Sequence, residues 1–281
     1  MPHRFECDGI GTHWWFEILD DTYPDGIEQR VKEAITQFDE NYSRFKPTSY
    51  VGQLNDSKRL SSPPPELVRM FGFAKQMYEV SGGAFDMSVG GELHAKGYGS
   101  RTLAAPIHDN MWRETIVSPE LLQIPQNVVI DNGGFGKGWL IDSIGDLFRG
   151  AGIEWFVING GGDILVSADK PVTFGLEHPL QPDRLIGSAN IQSGALAGSS
   201  NGKRTWRHAG ETYHHIVDPR VAAKKVSPQV SGTFVHAPTA LLADTMATIV
   251  FLRPELSDML AGQFDLKTMI IPSEAKTQTS L

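Results

Sequence analysis

The stretch Asp131-Asn132-Gly133-Gly134-Phe135-Gly136-Lys137-Gly138 joins an apolar run, Asn127 to Ile130, that predicts a strand, to the run Trp139 to Phe148, that predicts a helix. Its four glycines let the backbone approach an anion closely. The helix that follows offers unpaired N–H groups and the positive end of its dipole. We therefore predict a phosphate at this turn. The stretch is not a P-loop, because Gly138 stands where that pattern needs Ser or Thr, and no G-x-G-x-x-G can be read through it.

Composition and charge narrow the class of protein. The 281 residues allow one large domain or two moderate ones, and 40% hydrophobic with 21% charged residues is typical of a globular chain. The net charge of −8 argues against nonspecific nucleic-acid binding, which needs a basic surface. Cys7 is the only cysteine, which excludes an internal disulfide and a cysteine-based zinc or iron–sulfur site.

The apolar runs are too short for a membrane span, since no run of 18 apolar residues occurs. Met1 to Asp8 contains charges and a proline but no apolar h-region. This predicts that no signal peptide precedes the fold and, provided the chain is complete, a cytoplasmic location. The residues from about Ser273 onward, 273–281, look like a loose polar tail.

Apolar periodicity predicts a mixed α/β (α+β) fold. No linker marks a boundary, so we expect one domain over residues 1–281, with two subdomains as the alternative. The pattern predicts a strand at Thr12 to Leu19, helices at Gly26 to Tyr42, Glu66 to Val80 and Leu241 to Leu252, and a loop at Ser43 to Asn55.

The middle of the chain predicts a β-α-β unit. A strand, the glycine turn, a helix and a second strand at Trp155 to Ile158 follow one another, and the turn Asn159 to Asp163 ends the unit. The later segment, Pro171 to Val235, alternates short β-like runs with polar loops.

Two oxygen-bearing side chains share a helix face near the C-terminus. In Ala243-Asp244-Thr245-Met246-Ala247-Thr248, Asp244 and Thr248 lie one turn apart. Mg²⁺ prefers a few protein oxygens together with phosphate oxygens and water, so this pair could bind a cation. The alternative is that Asp244 caps the helix and Thr248 only packs.

Adjacent histidines precede a turn at Asp218-Pro219. His214 or His215 could act as a general base or bind phosphate. Because adjacent residues of a strand point to opposite faces, the two imidazoles are not expected to bind one metal. The alternative is one solvent-facing and one core histidine.

Other polar residues have both a functional and a structural interpretation. Gly82-Gly83-Ala84-Phe85-Asp86 and Asn159-Gly160-Gly161-Gly162-Asp163 could line a ligand pocket or be plain turns. Asp142 is either a ligand contact or a solvated helix residue. Lys137 is well placed beside a phosphate, although surface lysines are commoner.

Taken in order, these segments resemble the ApbE family, the FAD:protein FMN transferases. The resemblance extends over nearly the whole chain. It is carried by Tyr42-Ser43-Arg44-Phe45-Lys46-Pro47-Thr48-Ser49 with Leu54-Asn55, Gly82 through Asp86 with Val89-Gly90, Asp131 through Gly138, Asn159 through Asp163, His215-Ile216-Val217-Asp218-Pro219-Arg220, and Ala243 through Thr248.

The resemblance implies an ApbE-like fold, with mixed sheets flanked by helices, and a defined reaction. The FMN half of FAD would move onto a Ser or Thr hydroxyl of an acceptor flavoprotein, as a phosphoester, with release of AMP. Mg²⁺ is implied as cofactor and FAD as substrate. The resemblance implies these roles: Asp244, Thr248 and the backbone carbonyls of Ala247 and Gly136 as metal ligands, His215 as base, Ala84, Phe85 and Asp86 as FAD contacts, and Lys137 and Asp142 near its phosphates or ribose.

The chain departs from the family pattern at three places. Ile10-Gly11-Thr12 stands where relatives resemble Met-Gly-Thr, so Ile10 would replace a flavin-facing methionine. Ser199-Ser200-Asn201-Gly202 replaces Ser-Gly-Asp-Tyr, and Val221-Ala222 replaces Thr-Gly. We expect these changes to alter the contacts with the acceptor protein and the reaction rate, not the FAD site. The missing export signal favours a soluble cytoplasmic redox protein as acceptor.

Two alternatives use the same residues. In a Mg²⁺-dependent FAD pyrophosphatase, water would replace the protein hydroxyl and FMN and AMP would leave. A noncatalytic flavin-binding protein is the other alternative, although mere binding needs no base such as His215.

Overall fold

The computed structural model describes residues 2–99, 110–202, 205–221 and 230–273. Within these residues the α-helices are α1 (Ile27–Tyr42), α2 (Tyr50–Ser57), α3 (Pro65–Val80), α4 (Gly90–Ala95), α5 (Gly136–Gly150), α6 (Ala240–Leu252) and α7 (Ser257–Phe264). The β-strands are β1 (His3–Gly9), β2 (Thr12–Ile18), β3 (Arg59–Ser61), β4 (Ile116–Val117), β5 (Leu121–Gln123), β6 (Phe156–Gly160), β7 (Asp163–His178), β8 (Gln181–Ser200), β9 (Thr205–His208), β10 (Glu211–His214), β11 (Val230–Ala237) and β12 (Lys267–Pro272).

The main sheet has seven strands in the order β1-β2-β6-β7-β8-β11-β12, and each of its pairings between described strands is antiparallel. Two small separate sheets have the strand orders β3-β5-β4 and β10-β9. Helices flank the sheet, which confirms the predicted mixed α/β class. The tail predicted from about Ser273 lies, beyond that residue, outside the described part of the chain.

Successive side chains of a strand point to opposite faces of the sheet, and each face of the central strands carries its own apolar cluster. On β7, Leu165 faces the larger cluster, which α5 and α6 cover, while Ile164 and Val166 face the smaller one. The outer half of the β7–β8 hairpin supplies Leu176 and Ile191 to the smaller cluster. The helices therefore cover one face of the sheet, and the long hairpin helps to cover the other.

The predicted strand at Asn127 to Ile130 is wrong. Only Val129 makes a bridge, to Val89, whereas Asn127 lies in a turn and Val128 and Ile130 belong to no described strand. The side-chain amide of Asn55 replaces a neighbouring strand, since it donates to the Ile130 carbonyl at 3.0 Å and accepts the Ile130 N–H at 2.7 Å. The predicted β-α-β unit is therefore wrong as well, because α5 leads from a loop into the antiparallel β6.

The loop predicted over Ser43 to Asn55 contains the start of helix α2. The Ser49 side chain caps this helix by accepting the Gly52 N–H at 2.8 Å. Val51 and Leu54 fill the core from its inner face. The sequence pattern did not predict this short helix, because two buried apolar side chains are too few to show a helical periodicity.

The short β-like runs predicted over Pro171 to Val235 are in part wrong. Much of this segment belongs to the long hairpin of β7 and β8, with 16 and 20 residues. The register shifts between Ser167 and Val172. Inside the predicted segment the register shifts again between Leu176 and Glu177 and between Glu177 and His178.

Candidate functional site

A cleft opens where the N-terminus of α5, the middle of α6 and the end of β8 meet. It holds about 1080 Å³ of space, including its opening to solvent. The predicted site residues in its wall are Ala84, Phe85, Asp86, Lys137, His215, Asp244 and Thr248. Within the described part of the chain, the wall does not include Ile10, Gly136, Asp142 or Ala247.

The glycine turn before α5 is held by an ion pair that the predicted residue set did not include. The Asp131 carboxylate lies 2.5 Å from Arg44 Nε, and both side chains are buried. The same carboxylate accepts the Gly133 N–H at 2.5 Å. A Cβ on Gly134 would lie 2.9 Å from the Phe85 ring, so only glycine fits this position without displacing Phe85. Gly133 and Gly134 thus reach the cleft as bare backbone, suited to an anion.

Helices α5 and α6 fix each other through carboxylates. Asp244 of α6 accepts the Gly138 N–H in the first turn of α5 at 3.0 Å. Asp142 of α5 accepts the N–H groups of Ala240 and Leu241 in the first turn of α6, each at 2.8 Å. These N–H groups have no partner inside their own helices. The predicted FAD contact, Asp142, is thus engaged by α6 and lies outside the cleft wall. Burial raises the pKa of Asp142 to about 6, although both N–H groups lower it.

An acid–lysine cluster lies at the bottom of the cleft. The Lys137 ammonium contacts Asp163 Oδ2 and lies 3.3 Å from Asp244 Oδ1. Burial raises the pKa of Asp244, the Lys137 charge lowers it and Asp163 raises it, with a net upward shift. Asp163 belongs to the Asn159 to Asp163 turn, for which the sequence suggested a pocket or a plain turn, and it does line the cleft. Its proximity to Asp244 was not predicted, because that depends on the β6–β7 connection.

The oxygen donors on α6 fit Mg²⁺. The Thr248 hydroxyl lies one turn beyond Asp244 in the cleft wall and 3.2 Å from the Ser199 hydroxyl. In the residues described, no group of three or more His, Cys, Asp or Glu side chains could hold a metal. Mg²⁺ is bound through one or two carboxylates plus substrate phosphates and water, and does not need such a group. The donors therefore suit a cation that binds together with a phosphate ligand.

The two backbone carbonyls predicted as metal ligands have different surroundings. The Ala247 carbonyl accepts the Thr233 hydroxyl at 2.8 Å, and both residues are buried. Gly136 is the first residue of α5 and is also buried. Neither residue lies in the cleft wall of this structure.

Only one of the two adjacent histidines lines the cleft, and they are not two positions of one strand, because β10 ends at His214. His215 lies in the cleft wall directly after β10. The ring of His214 meets Phe251 edge-on at 6.4 Å, and burial followed by the Lys96 charge lowers the pKa of His214. Arg220 donates two hydrogen bonds to the Asp218 carboxylate, at 2.9 and 2.7 Å, and closes the turn that follows.

The segment Ala84 to Asp86 forms a buried wall of the cleft. The Ser81 hydroxyl accepts the Phe85 N–H at 2.9 Å, and the Asp86 carboxylate accepts the Ser88 N–H at 2.8 Å. These bonds fix the turn after α3. An apolar ring and a carboxylate are thereby held on one side of the cleft.

The three departures from the family pattern lie in different surroundings. Ile10 is at the tip of the β1–β2 hairpin with φ 44°, and its neighbour Thr12 lies close to Gly161 of the cleft wall. Ser199 and Ser200, at the end of β8, line the cleft. The Val221-Ala222 departure lies at Ala222 outside the described residues.

Known proteins match the chain over most of its length. The model of the ApbE family matches residues 10–269. The chain belongs to the ApbE family. Among family members, it is 22% identical over 257 residues to the FAD:protein FMN transferase of Vibrio cholerae, covering 84% of this chain and 76% of that protein. It is 23% identical to the protein of the same name from Klebsiella pneumoniae, covering 82% and 76%. The crystal structure of the ApbE protein of Thermotoga maritima superposes with a TM-score of 0.83 at 20% identity, covering 98% and 97% of the two chains.

Proposed function

We propose that this chain is a Mg²⁺-dependent FAD:protein FMN transferase, the activity for which its relatives are named. The observation that carries the proposal is the convergence on one cleft of the glycine turn of α5, Asp244 and Thr248 of α6, and His215. Group transfer from a diphosphate requires a turn that binds the anion, oxygen ligands for a cation and a base, and the cleft contains a candidate for each of them.

FAD would bind with its diphosphate at the start of α5. The backbone N–H of Gly134, together with Lys137, offers positive charge to the phosphates, while the Gly133 N–H is donated to Asp131 and holds the turn. Ala84 and Phe85 provide apolar contact on the wall formed by the turn after α3, and Asp86 provides a hydrogen-bond acceptor. Because Phe85 packs against Gly134, phosphate and ring subsites would be held at a fixed separation.

Asp244 and Thr248 would hold Mg²⁺ with their side chains, and the backbone carbonyls of Ala247 and Gly136 would complete the protein ligands that the resemblance implies. The cation, once bound, neutralises the charge that develops on the AMP phosphate. Because the Thr233 hydroxyl now uses the Ala247 carbonyl, that ligand requires a second lone pair or a small rearrangement of β11.

The protein residues would carry out a single displacement. His215 accepts the proton of the acceptor's Ser or Thr hydroxyl. The hydroxyl oxygen bonds to the phosphorus of the FMN half, the bond from that phosphorus to the AMP phosphate oxygen breaks, and AMP leaves. The products are a phosphoester-linked flavin on the acceptor and AMP, so FAD is consumed as a substrate.

We extend the proposal to the whole chain as one domain, because β1 and β12, from opposite ends of the sequence, lie in the same sheet. No helix in the described residues is both long and apolar enough to cross a membrane. The cytoplasmic location and the soluble redox acceptor stay predictions from the sequence.

The test is incubation of the purified protein with FAD and Mg²⁺, with and without a flavoprotein domain that carries a Ser or Thr acceptor. AMP is measured by chromatography, and covalent flavin on the acceptor by intact mass. We expect AMP and flavinylated acceptor in equal amounts, and neither product when EDTA replaces Mg²⁺. Equal AMP and free FMN without acceptor would establish the pyrophosphatase instead, and bound FAD without AMP would leave a binding protein.

A further inference from the structure

Lys137 lies between two buried carboxylates at the bottom of the cleft. The exposed fractions of the side chains are 18% for Lys137, 7% for Asp163 and 10% for Asp244. Two carboxylates so close together in a poorly solvated place repel each other unless a cation lies near them. In this structure the cation is the lysine ammonium.

The same carboxylate also belongs to the proposed metal site. Asp244 is the side chain that would bind Mg²⁺, and its Oδ1 atom, which faces Lys137, is the oxygen not used by the Gly138 N–H. A divalent cation at this oxygen and the lysine ammonium would therefore compete for one position. A lysine side chain is a point charge on a flexible stem, so it can leave this position without moving α5.

We propose that Lys137 is an internal counter-ion that occupies the cation position between Asp163 and Asp244 while the metal is absent, and that Mg²⁺ displaces it toward the diphosphate subsite. This inference rests on the proposed metal site. Lys137 would thus have two successive roles. Without metal it neutralises Asp163 and Asp244, and once Mg²⁺ neutralises these carboxylates it binds the phosphates of FAD.

The charges favour such an exchange. One ammonium against two carboxylates leaves the cluster with one net negative charge, whereas Mg²⁺ against the same two carboxylates leaves none. Lys137 belongs to the first turn of α5, close in sequence to the Gly134 N–H that would bind the diphosphate. Mg²⁺ binding would thus add a positive charge to the phosphate subsite, which predicts that the metal strengthens FAD binding.

The first experiment uses the unmodified protein and Mg²⁺ alone. Lysines are acetylated briefly with and without Mg²⁺, and the modified peptides are quantified by mass spectrometry. We expect Lys137 to be protected without metal and its labelling to rise several-fold with Mg²⁺. Lys32, which pairs with Glu28 on the surface of α1, serves as the internal control and should not change.

The second experiment measures Mg²⁺ affinity by calorimetry without FAD. Lys137→Met removes the competitor, so we expect Mg²⁺ to bind about tenfold or more tightly than to the unmodified protein, since a competing state lowers apparent affinity by its population. Lys137→Arg keeps the cation and should resemble the unmodified protein. Lys32→Met removes one positive charge far along the chain from the cluster, and its Mg²⁺ affinity should equal that of the unmodified protein.

The outcomes separate this inference from the proposed function. If the unmodified protein binds Mg²⁺ but Lys137 labelling stays constant, the inference fails and the metal site stands. An affinity of Lys137→Met no higher than that of the unmodified protein also overturns it. If neither the unmodified protein nor Lys137→Met binds Mg²⁺ without FAD, the inference falls, and the proposed metal site is then decided by whether EDTA abolishes AMP release from FAD. Should Lys137→Met not fold, labelling of the unmodified protein decides.

Discussion

Asp142 of α5 accepts the backbone N–H of Ala240 at 2.8 Å and thereby caps the N-terminus of α6. Its second carboxylate oxygen accepts the next N–H, that of Leu241. Four residues further along α6, Asp244 accepts the Gly138 N–H of α5. The two helices that carry the site are thus joined at both N-termini, and the position of Asp244 depends on a residue that does not reach the cleft.

The first prediction concerns Asp142→Asn. The amide can accept only one of the two N–H groups and brings its own NH₂ toward the other, so we expect a loss of about 1–3 kcal/mol in the free energy of unfolding. FAD affinity of the folded protein should change little. Urea denaturation and fluorescence titration with FAD measure the two effects. Asp146→Asn, an exposed position on the same helix, is the control. A large loss of FAD affinity at unchanged stability would restore Asp142 as the FAD contact that the family resemblance implies.

The second prediction is a pH dependence. Burial raises the pKa of Asp142 from its ordinary value of 3.8 to about 6. Between these values the folded protein binds more protons than the unfolded chain, so stability falls as the pH rises from about 4 to 6. Asp244, whose pKa is also raised, contributes in the same direction. The free energy of unfolding, measured by urea denaturation across this range, should therefore fall less steeply in Asp142→Asn. Parallel slopes in both proteins would contradict the raised pKa.

The third prediction tests the contact between the helices at Gly138. A Cβ there would lie 2.4 Å from the Ala240 carbonyl oxygen, which is backbone and cannot turn away. Gly138→Ala should cost about 1–3 kcal/mol through overpacking and should also weaken Mg²⁺ binding, because α6 must move. Gly72→Ala, inside α3 with nothing within 4 Å, is the control and should gain up to about 1 kcal/mol. Equal effects of the two substitutions on the urea midpoint would exclude close helix packing as the cause.

The fourth prediction separates the two roles of Asp244. Asp244→Asn keeps an oxygen that can accept the Gly138 N–H but removes the negative charge that a cation needs. We expect a folded protein whose Mg²⁺-dependent AMP release has fallen to background. Asp244→Ala should lose both roles and unfold at lower urea concentration. Undiminished turnover of Asp244→Asn at saturating Mg²⁺ would remove this residue from the metal site.

The sequence indicated several residues of the cleft wall, but it did not predict the contacts between the elements that carry them. Helical spacing correctly put Asp244 and Thr248 on one face of α6, because period depends only on local geometry. The capping role of Asp142 requires knowing that α6 crosses α5 at Gly138, which spacing within either helix does not contain. The same limit applies to Asp163, whose distance from Asp244 depends on sheet order.

The failed strand prediction has a similar cause. Asn127 to Ile130 has the composition of a buried strand, and Val128 to Ile130 are buried, but the backbone of Ile130 is satisfied by the Asn55 side chain from 75 residues earlier. Periodicity reports burial, whereas strand pairing depends on the partner that is available.

The last prediction concerns His215 as the proton acceptor. His215→Ala should lower the rate of covalent flavin transfer by about 10²–10⁴, the usual contribution of a general base, with little change in FAD affinity. His214→Ala is the matched control: it removes the adjacent imidazole, which packs on Phe251 away from the cleft, and should affect stability more than rate. The initial rate of covalent flavin transfer is measured for both variants at saturating Mg²⁺ and acceptor. A loss of less than about tenfold for His215→Ala would assign this side chain to positioning the acceptor, because removal of a base must slow proton transfer by more than that.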